Sequence, residues 1–372
     1  MNNESTFTRH PRKTLTIIVV LGVVLLDLVA GTALNAPMLG RLDIRVHHGL
    51  SPNFEGPREK WGPYEYRVTT NSLGLVDVRK REIPQRDQGS RILFLGDSFT
   101  FGLGVPYDTT FVNRVAQAMA SRGIEVLNGG VVSYSPKLYW LRAEDLIVRQ
   151  GVAIDEIAVF IDVSDPQDEI VYEHFMPGLT LRNMARATYV WLLRHSYFFH
   201  NNEALTYAVT MAIRKLTMKL PGPNTDQVGI LVDSEEAIEG RVRWVMGARD
   251  YDDWGRRGLE LAAANMDRLI ELARLRGIRL TLAVYPWPFM VGKPEYIERH
   301  AGFWRRFAGE RGVPLLDLSP AFEQLVRDHP GTSIDAWFLA DRAHWNPEGH
   351  GVVAQAWLAW RNGLGPWPGG KP

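Results

Sequence analysis

Ile92-Leu93-Phe94-Leu95-Gly96-Asp97-Ser98-Phe99 is the stretch whose reading decides the fold. Four consecutive apolar residues have the length and composition of a strand buried on both faces, as in the interior of a parallel sheet. Gly96 and Asp97 are turn residues and take the chain out of that strand. They deliver Ser98 to its carboxyl end, the end at which ligands bind in open parallel sheets. A serine hydroxyl is a weak nucleophile and needs a neighbouring base.

Candidates for that base and its orienting carboxylate stand near the other end of the chain. Asp341-Arg342-Ala343-His344-Trp345-Asn346-Pro347-Glu348-Gly349-His350 puts an Asp and a His three residues apart, ahead of a helix with Pro in its first turn. One backbone segment can then bring His344 to the serine and hold its tautomer through Asp341. Gly-Asp-Ser alone makes ordinary turns, and Asp-x-x-His alone makes a loop with a surface histidine. Their combination carries the assignment. His350 reads as a helix-face residue rather than a second base.

Between these segments the chain alternates. Strand-like runs at Ile92–Leu95, Ile124–Leu127, Ile157–Ile161, Leu280–Val284 and Val313–Leu316 are separated by helix-like segments. Those segments lie around Thr110–Ser121, Lys137–Arg149, Gly258–Arg276 and Glu295–Glu310, with a last helix from Pro347 to about Trp360. The pattern predicts an α/β fold with a parallel sheet between two helical layers. Residues 176–250 break the rhythm as a helical insertion. From Phe175 to Thr225 it carries Arg182, Arg186, Arg194, Arg214, Lys215 and Lys219 against one acid, Glu203. It reads as helices packed on the core or as a basic, membrane-surface lid.

At the N-terminus Arg9, Arg12 and Lys13 precede an apolar run from about Leu15 to Leu34, interrupted by Asp27. About 20 apolar residues span a bilayer core, and the basic flank predicts that the N-terminus stays inside. The expected organisation is a cytoplasmic tail (1–13), a signal anchor (14–35), an extension (36–90) and a catalytic domain (91–365). A cleaved signal peptide is the alternative, with Val29-Ala30-Gly31 as small residues for cleavage. Val78 to Asp87 reads as a solvated connector.

Composition narrows the chemistry. The 372 residues carry a net charge of +0 and no cysteine, so thiol catalysis, disulfides and thiolate-held metals are excluded. There is no basic stripe of the kind that binds nucleic acid. Asp250, Asp252 and Asp253 form an acidic cluster without an EF-hand pattern and read as a solvated loop. His47-His48 lacks zinc-site spacing, and Gly102-Leu103-Gly104 is too short for a phosphate loop. No metal or cofactor is expected.

The order and placement of the Gly-Asp-Ser and Asp-x-x-His segments resemble the SGNH/GDSL hydrolase family over roughly 90–360. The resemblance implies a three-layer flavodoxin-like fold and hydrolysis or transfer of an ester, with Ser98, His344 and Asp341 as the triad. It also implies oxyanion donors at Ser98 and in two middle blocks. The second block aligns with Asn128-Gly129-Gly130-Val131-Val132-Ser133-Tyr134-Ser135, which places Ser133 where the family has a donor glycine. The third, Gly-x-Asn-Asp in the family, aligns with Asp162-Val163-Ser164-Asp165, so Ser164 replaces the asparagine.

His344-Trp345-Asn346-Pro347 and the single anchor resemble exported SGNH-like proteins that handle O-acetyl groups on polysaccharides. This implies an ester-bearing carbohydrate as substrate and a membrane-bound partner supplying acyl groups. Asp97, Tyr285, Trp287 and Trp345 are the expected substrate-binding residues, with the aromatics offering faces to sugar rings or else packing the core. Two other readings stand beside this one. One is a non-catalytic polysaccharide-binding or assembly subunit that keeps the fold. The other is a lipid-active esterase.

Overall fold

The computed structural model of the protein describes residues 10–86, 89–217 and 235–365. Most of the expected N-terminal tail, Asp87 and residues 218–234 of the expected insertion, Lys219 included, lie outside the described residues. The described residues fall into two compact units, 10–44 with 177–217 and 45–176 with 235–365.

The larger unit holds the sheet. Its strands are β1 (Ser90–Leu95), β2 (Ile124–Asn128), β3 (Glu156–Ile161), β4 (Arg279–Val284) and β5 (Leu315–Asp317). They pair in parallel in the order β2-β1-β3-β4-β5, the flavodoxin-like order. Ile92 through Leu95 are each 0% exposed, and Ile157 through Ile161 at most 1%. Such runs need cover on both faces, and helices supply it. Phe94 and Phe160 stack at 5.8 Å between centroids, with Phe111 and Trp357 over them from helices Phe111–Ala120 and Pro347–Gly363. Helices Pro136–Glu144, Asp165–Tyr172 and Arg256–Arg276 pack on one another as the second layer.

Several expected elements differ in detail. The helix expected over Lys137–Arg149 is regular only to Glu144 and ends in a wide turn, Asp145–Arg149. That expected over Glu295–Glu310 is interrupted by another wide turn, Glu298–Gly302. The acidic cluster is not a loop. Tyr251–Gly255 is a wide helical turn in which Asp252 pairs with Arg256 and Asp253 with Arg249.

The connector from Val78 is not simply solvated either. Ile83 is 6% exposed, and Arg81 bridges Asp77 at 2.8 Å and Glu125 at 2.5 Å. The expected insertion is not one body. Helix Glu235–Met246 belongs to the larger unit, with Trp244 0% exposed and its indole donating to the Val163 carbonyl at 2.8 Å. Residues 177–217 belong with the N-terminal helix in the smaller unit.

The smaller unit contains helices Pro11–Leu34, Leu181–His195, Tyr197–Asn201 and Glu203–Thr217. Among the described residues, Pro11–Leu34 is the one helix long and apolar enough to cross a membrane.

Candidate active site

Ser98 opens a short helix, Ser98–Phe101, directly after β1. The turn needs Gly96, because a Cβ there would sit 2.0 Å from the Thr100 hydroxyl and 3.2 Å from the Phe160 carbonyl. Asp97 caps the helix by accepting the Phe99 N–H at 3.0 Å, which satisfies one of the unpaired first-turn donors.

His344 arrives on the loop before helix Pro347–Gly363. Asn346 fixes that loop from both ends. Its side chain accepts the Gly349 N–H at 3.0 Å and donates to the Ala336 carbonyl at 2.8 Å. The structure brings the three distant residues into one line. His344 Nε2 lies 2.8 Å from Ser98 Oγ, and Nδ1 lies 2.6 Å from Asp341 Oδ2. Asp341 Oδ1 accepts the N–H groups of Ala343 at 3.0 Å and His344 at 3.1 Å. With Nδ1 donating to the carboxylate, Nε2 is left as the acceptor that faces the hydroxyl.

Electrostatics follow the same line. Burial pulls the His344 pKa down, but the Asp341 charge and hydrogen bond, with Asp97 and Asp162 behind them, outweigh it and raise the value. Burial pushes Asp341 up, and the imidazole and two N–H donors outweigh that, so its pKa is lowered. Both side chains keep some exposure, 16% for His344 and 10% for Asp341.

Ser133 and Ser164 are the two further serines expected as oxyanion donors. Ser133 has φ +60°, a left-handed conformation that glycine adopts freely and serine does not. The loop approaches closely, since a Cβ on Gly130 would lie 2.3 Å from the Phe101 nitrogen. Ser164 is 3% exposed and leads helix Asp165–Tyr172 without capping it through its side chain. Its N–H is already donated to Asp162 Oδ1 at 2.5 Å.

The expected substrate-binding residues sit differently from the reading that gave them open faces. Asp97, Tyr285, Trp287 and Trp345 are 4%, 1%, 5% and 0% exposed. Phe99 lies among them, its ring centroid 4.8 Å from both His344 and Tyr285 and 4.7 Å from Trp345. These aromatics form a packed bed that fixes the imidazole. Tyr285 donates to Asp97 at 3.2 Å and the Trp287 indole to Asp162 at 2.8 Å. Burial, and next the charge of Asp162, push the Asp97 carboxyl up to about 8.

Sequence reasoning missed the residues that hold the Ser133 loop. His48 Nε2 lies 2.9 Å from the Val132 carbonyl, and His47 and His48 meet Nδ1 to Nδ1 at 2.8 Å. Nε2 must donate to a carbonyl, so with a neutral His48 its Nδ1 accepts and His47 Nδ1 donates. Tyr134 donates to the His48 carbonyl at 2.6 Å and Tyr172 to the Ser133 carbonyl at 2.9 Å. The histidine pair has no periodic or motif signal, so nothing in the sequence ties it to residue 133. His350 accepts the Phe111 N–H at 3.2 Å, and burial pushes its pKa down to about 3. Among the described residues no cluster of His, Asp or Glu is arranged to hold a metal ion.

No protein-family model and no curated protein matches the chain. Solved structures do. One is a catalytic mutant of Axe2, an acetylxylan esterase from Geobacillus stearothermophilus, at 14% identity and TM-score 0.41, covering 74% of this chain and 95% of that one. Another is LAE5, an α/β hydrolase enzyme from the metagenome of Lake Arreo, Spain, at 15% identity and TM-score 0.39, covering 76% and 99%. A third is a putative acylhydrolase from Bacteroides fragilis, at 12% identity and TM-score 0.38, covering 76% and 92%.

Proposed function

We propose that the protein is an SGNH-type serine esterase or O-acyltransferase acting on ester groups, O-acetyl above all, of extracytoplasmic carbohydrate. One observation carries the reading: the continuous Ser98–His344–Asp341 line at 2.8 Å and 2.6 Å. Ser98 Oγ attacks the acyl carbon as its proton passes to His344 Nε2. The resulting oxyanion is held by the backbone N–H groups of Ser98 and Ser133, with the Ser164 hydroxyl as a third donor. Collapse breaks the acyl–oxygen bond, and His344 returns the proton to the leaving alcohol. Water or a sugar hydroxyl then attacks acyl-Ser98 by the same path in reverse. Asp341 keeps the imidazole in the receptive tautomer and balances its charge.

In this reading the helix within 14–35 anchors the chain in the membrane with its N-terminus inside. The triad then works outside the cytoplasm, beside a membrane partner that supplies acyl groups. The test is intact-mass measurement of the full-length protein after brief exposure to an activated acetyl ester, beside Ser98→Ala. One added acetyl, or turnover, in the wild type alone is expected. Absence of both in folded wild type would refute catalysis.

A further inference from the structure

We infer that the helical hairpin Leu181–Asn201 is seated in the outer leaflet of the bilayer that the N-terminal helix crosses. The inference rests on the anchored reading of that helix and on contacts within the smaller unit. Helix Pro11–Leu34 has 24 residues, about 36 Å at ~1.5 Å per residue, against a hydrocarbon core of about 30 Å. Asp27 therefore lies about 10 Å along the axis from the outer end of the helix, at the same rise per residue.

The hairpin is fastened over this last stretch. The Asn35 amide donates to the carbonyls of Leu193, Arg194 and Ser196 at 3.4, 3.1 and 3.2 Å. Thr32 Oγ1 lies 3.2 Å from His195 Nδ1. Gly31 lets the backbones touch, since a Cβ there would sit 2.1 Å from the His195 carbonyl. Asp27 accepts the Phe198 N–H at 2.7 Å. Residues 194–198 thus descend alongside residues 35 to 27, toward the bilayer centre. The single acid of the span, costly in hydrocarbon, finds its donor in this segment.

The side chains suit that depth. Trp191, Tyr197 and Phe198, at or within one helical turn of that segment, are 48%, 45% and 62% exposed. Aromatic residues concentrate at the membrane interface, and helix Leu181–His195 carries Arg182, Arg186 and Arg194 with no acid. An apolar and cationic surface continuous with a membrane span fits anionic headgroups above and acyl chains below.

The chain has no cysteine, so Phe198→Cys and, separately, Trp191→Cys place a single nitroxide on the full-length protein in native membranes. A carbonate wash comes first. For a retained chain, collision of the Phe198 label with dissolved oxygen should exceed that with a water-soluble nickel chelate, with a depth of roughly 5–10 Å below the headgroups. Free collision with the chelate at both positions would overturn the inference while leaving the anchor. Exclusion of both reagents would also overturn it, since a protein would then cover the hairpin. Release by carbonate would remove the anchored reading and this inference with it.

Discussion

Replacing Asp341 by Asn tests the site at its most exacting point. In the wild type one carboxylate does two jobs. Oδ1 accepts the N–H groups of Ala343 and His344, and Oδ2 accepts from Nδ1 at 2.6 Å. An asparagine has one acceptor oxygen. If that oxygen stays on the two N–H groups, the amide NH2 faces Nδ1. The imidazole must then carry its proton on Nε2, aimed at Ser98 Oγ, and the base is lost with the loop geometry intact. The comparable change in a Ser-His-Asp enzyme lowers kcat about 10⁴-fold, or about 5.4 kcal/mol at ~1.36 kcal/mol per decade. The assay is turnover of an activated acetyl ester at several pH values, with Ser98→Ala as the blank and circular dichroism as the folding control. Activity within tenfold of wild type would refute the tautomer argument, because no other carboxylate hydrogen-bonds to His344 among the described residues.

Other expectations follow from the same contacts. Activity requires neutral His344, whose pKa is raised, so the acid limb of the kcat/KM profile should have its midpoint above 6.5; a midpoint below that value in a pH titration would contradict the assignment. The stability sign is opposite. A raised folded pKa means that the His344 contribution to stability is full below the unfolded value and is lost as pH rises through the folded one. Ser133→Gly relieves a left-handed serine at φ +60°, which costs roughly 1–2 kcal/mol, and loses part of that gain to chain entropy. Thermal denaturation should find it neutral to slightly stabilised, with turnover kept because the proposed donor is the backbone N–H. Glu156 and Arg361 are 0% and 1% exposed and share bonds of 2.8 to 3.0 Å. Arg361→Met should cost about 3–5 kcal/mol in denaturant unfolding, because it strands a buried carboxylate. Glu156→Leu combined with Arg361→Met should recover most of that loss. Trp287→Phe keeps an aromatic ring but removes the donor to Asp162, and should cost about 1–3 kcal/mol in the same measurement.

The sheet was legible because its central strands carry apolar runs with no polar alternation, the signature of strands covered on both faces. Ile92–Leu95 and Ile157–Ile161 could occupy few other environments. Ser98, Asp341 and His344 were legible as residue types at telling positions, each beside a turn or a helix start. Helix Ser319–Asp328 was not read, although its Ser319-Pro320 start carries a helix-opening signal. Helix Glu235–Met246 was absorbed into a supposed insertion because nothing local says which body Trp244 will enter.

What the sequence determined by itself was local: where strands begin, where the chain turns, and which side chains could supply the acid, base and nucleophile of the proposed reaction. Contacts between distant segments were decided only by the tertiary structure. The Ser98–His344 approach spans 246 positions, and the His48 hold on the Ser133 loop has no sequence period. The burial of Tyr285, Trp287 and Trp345 also depends on Phe99 arriving from another strand end. Periodicity reports the environment along one segment, whereas these arrangements depend on which segments meet, and that is settled by packing the whole core at once.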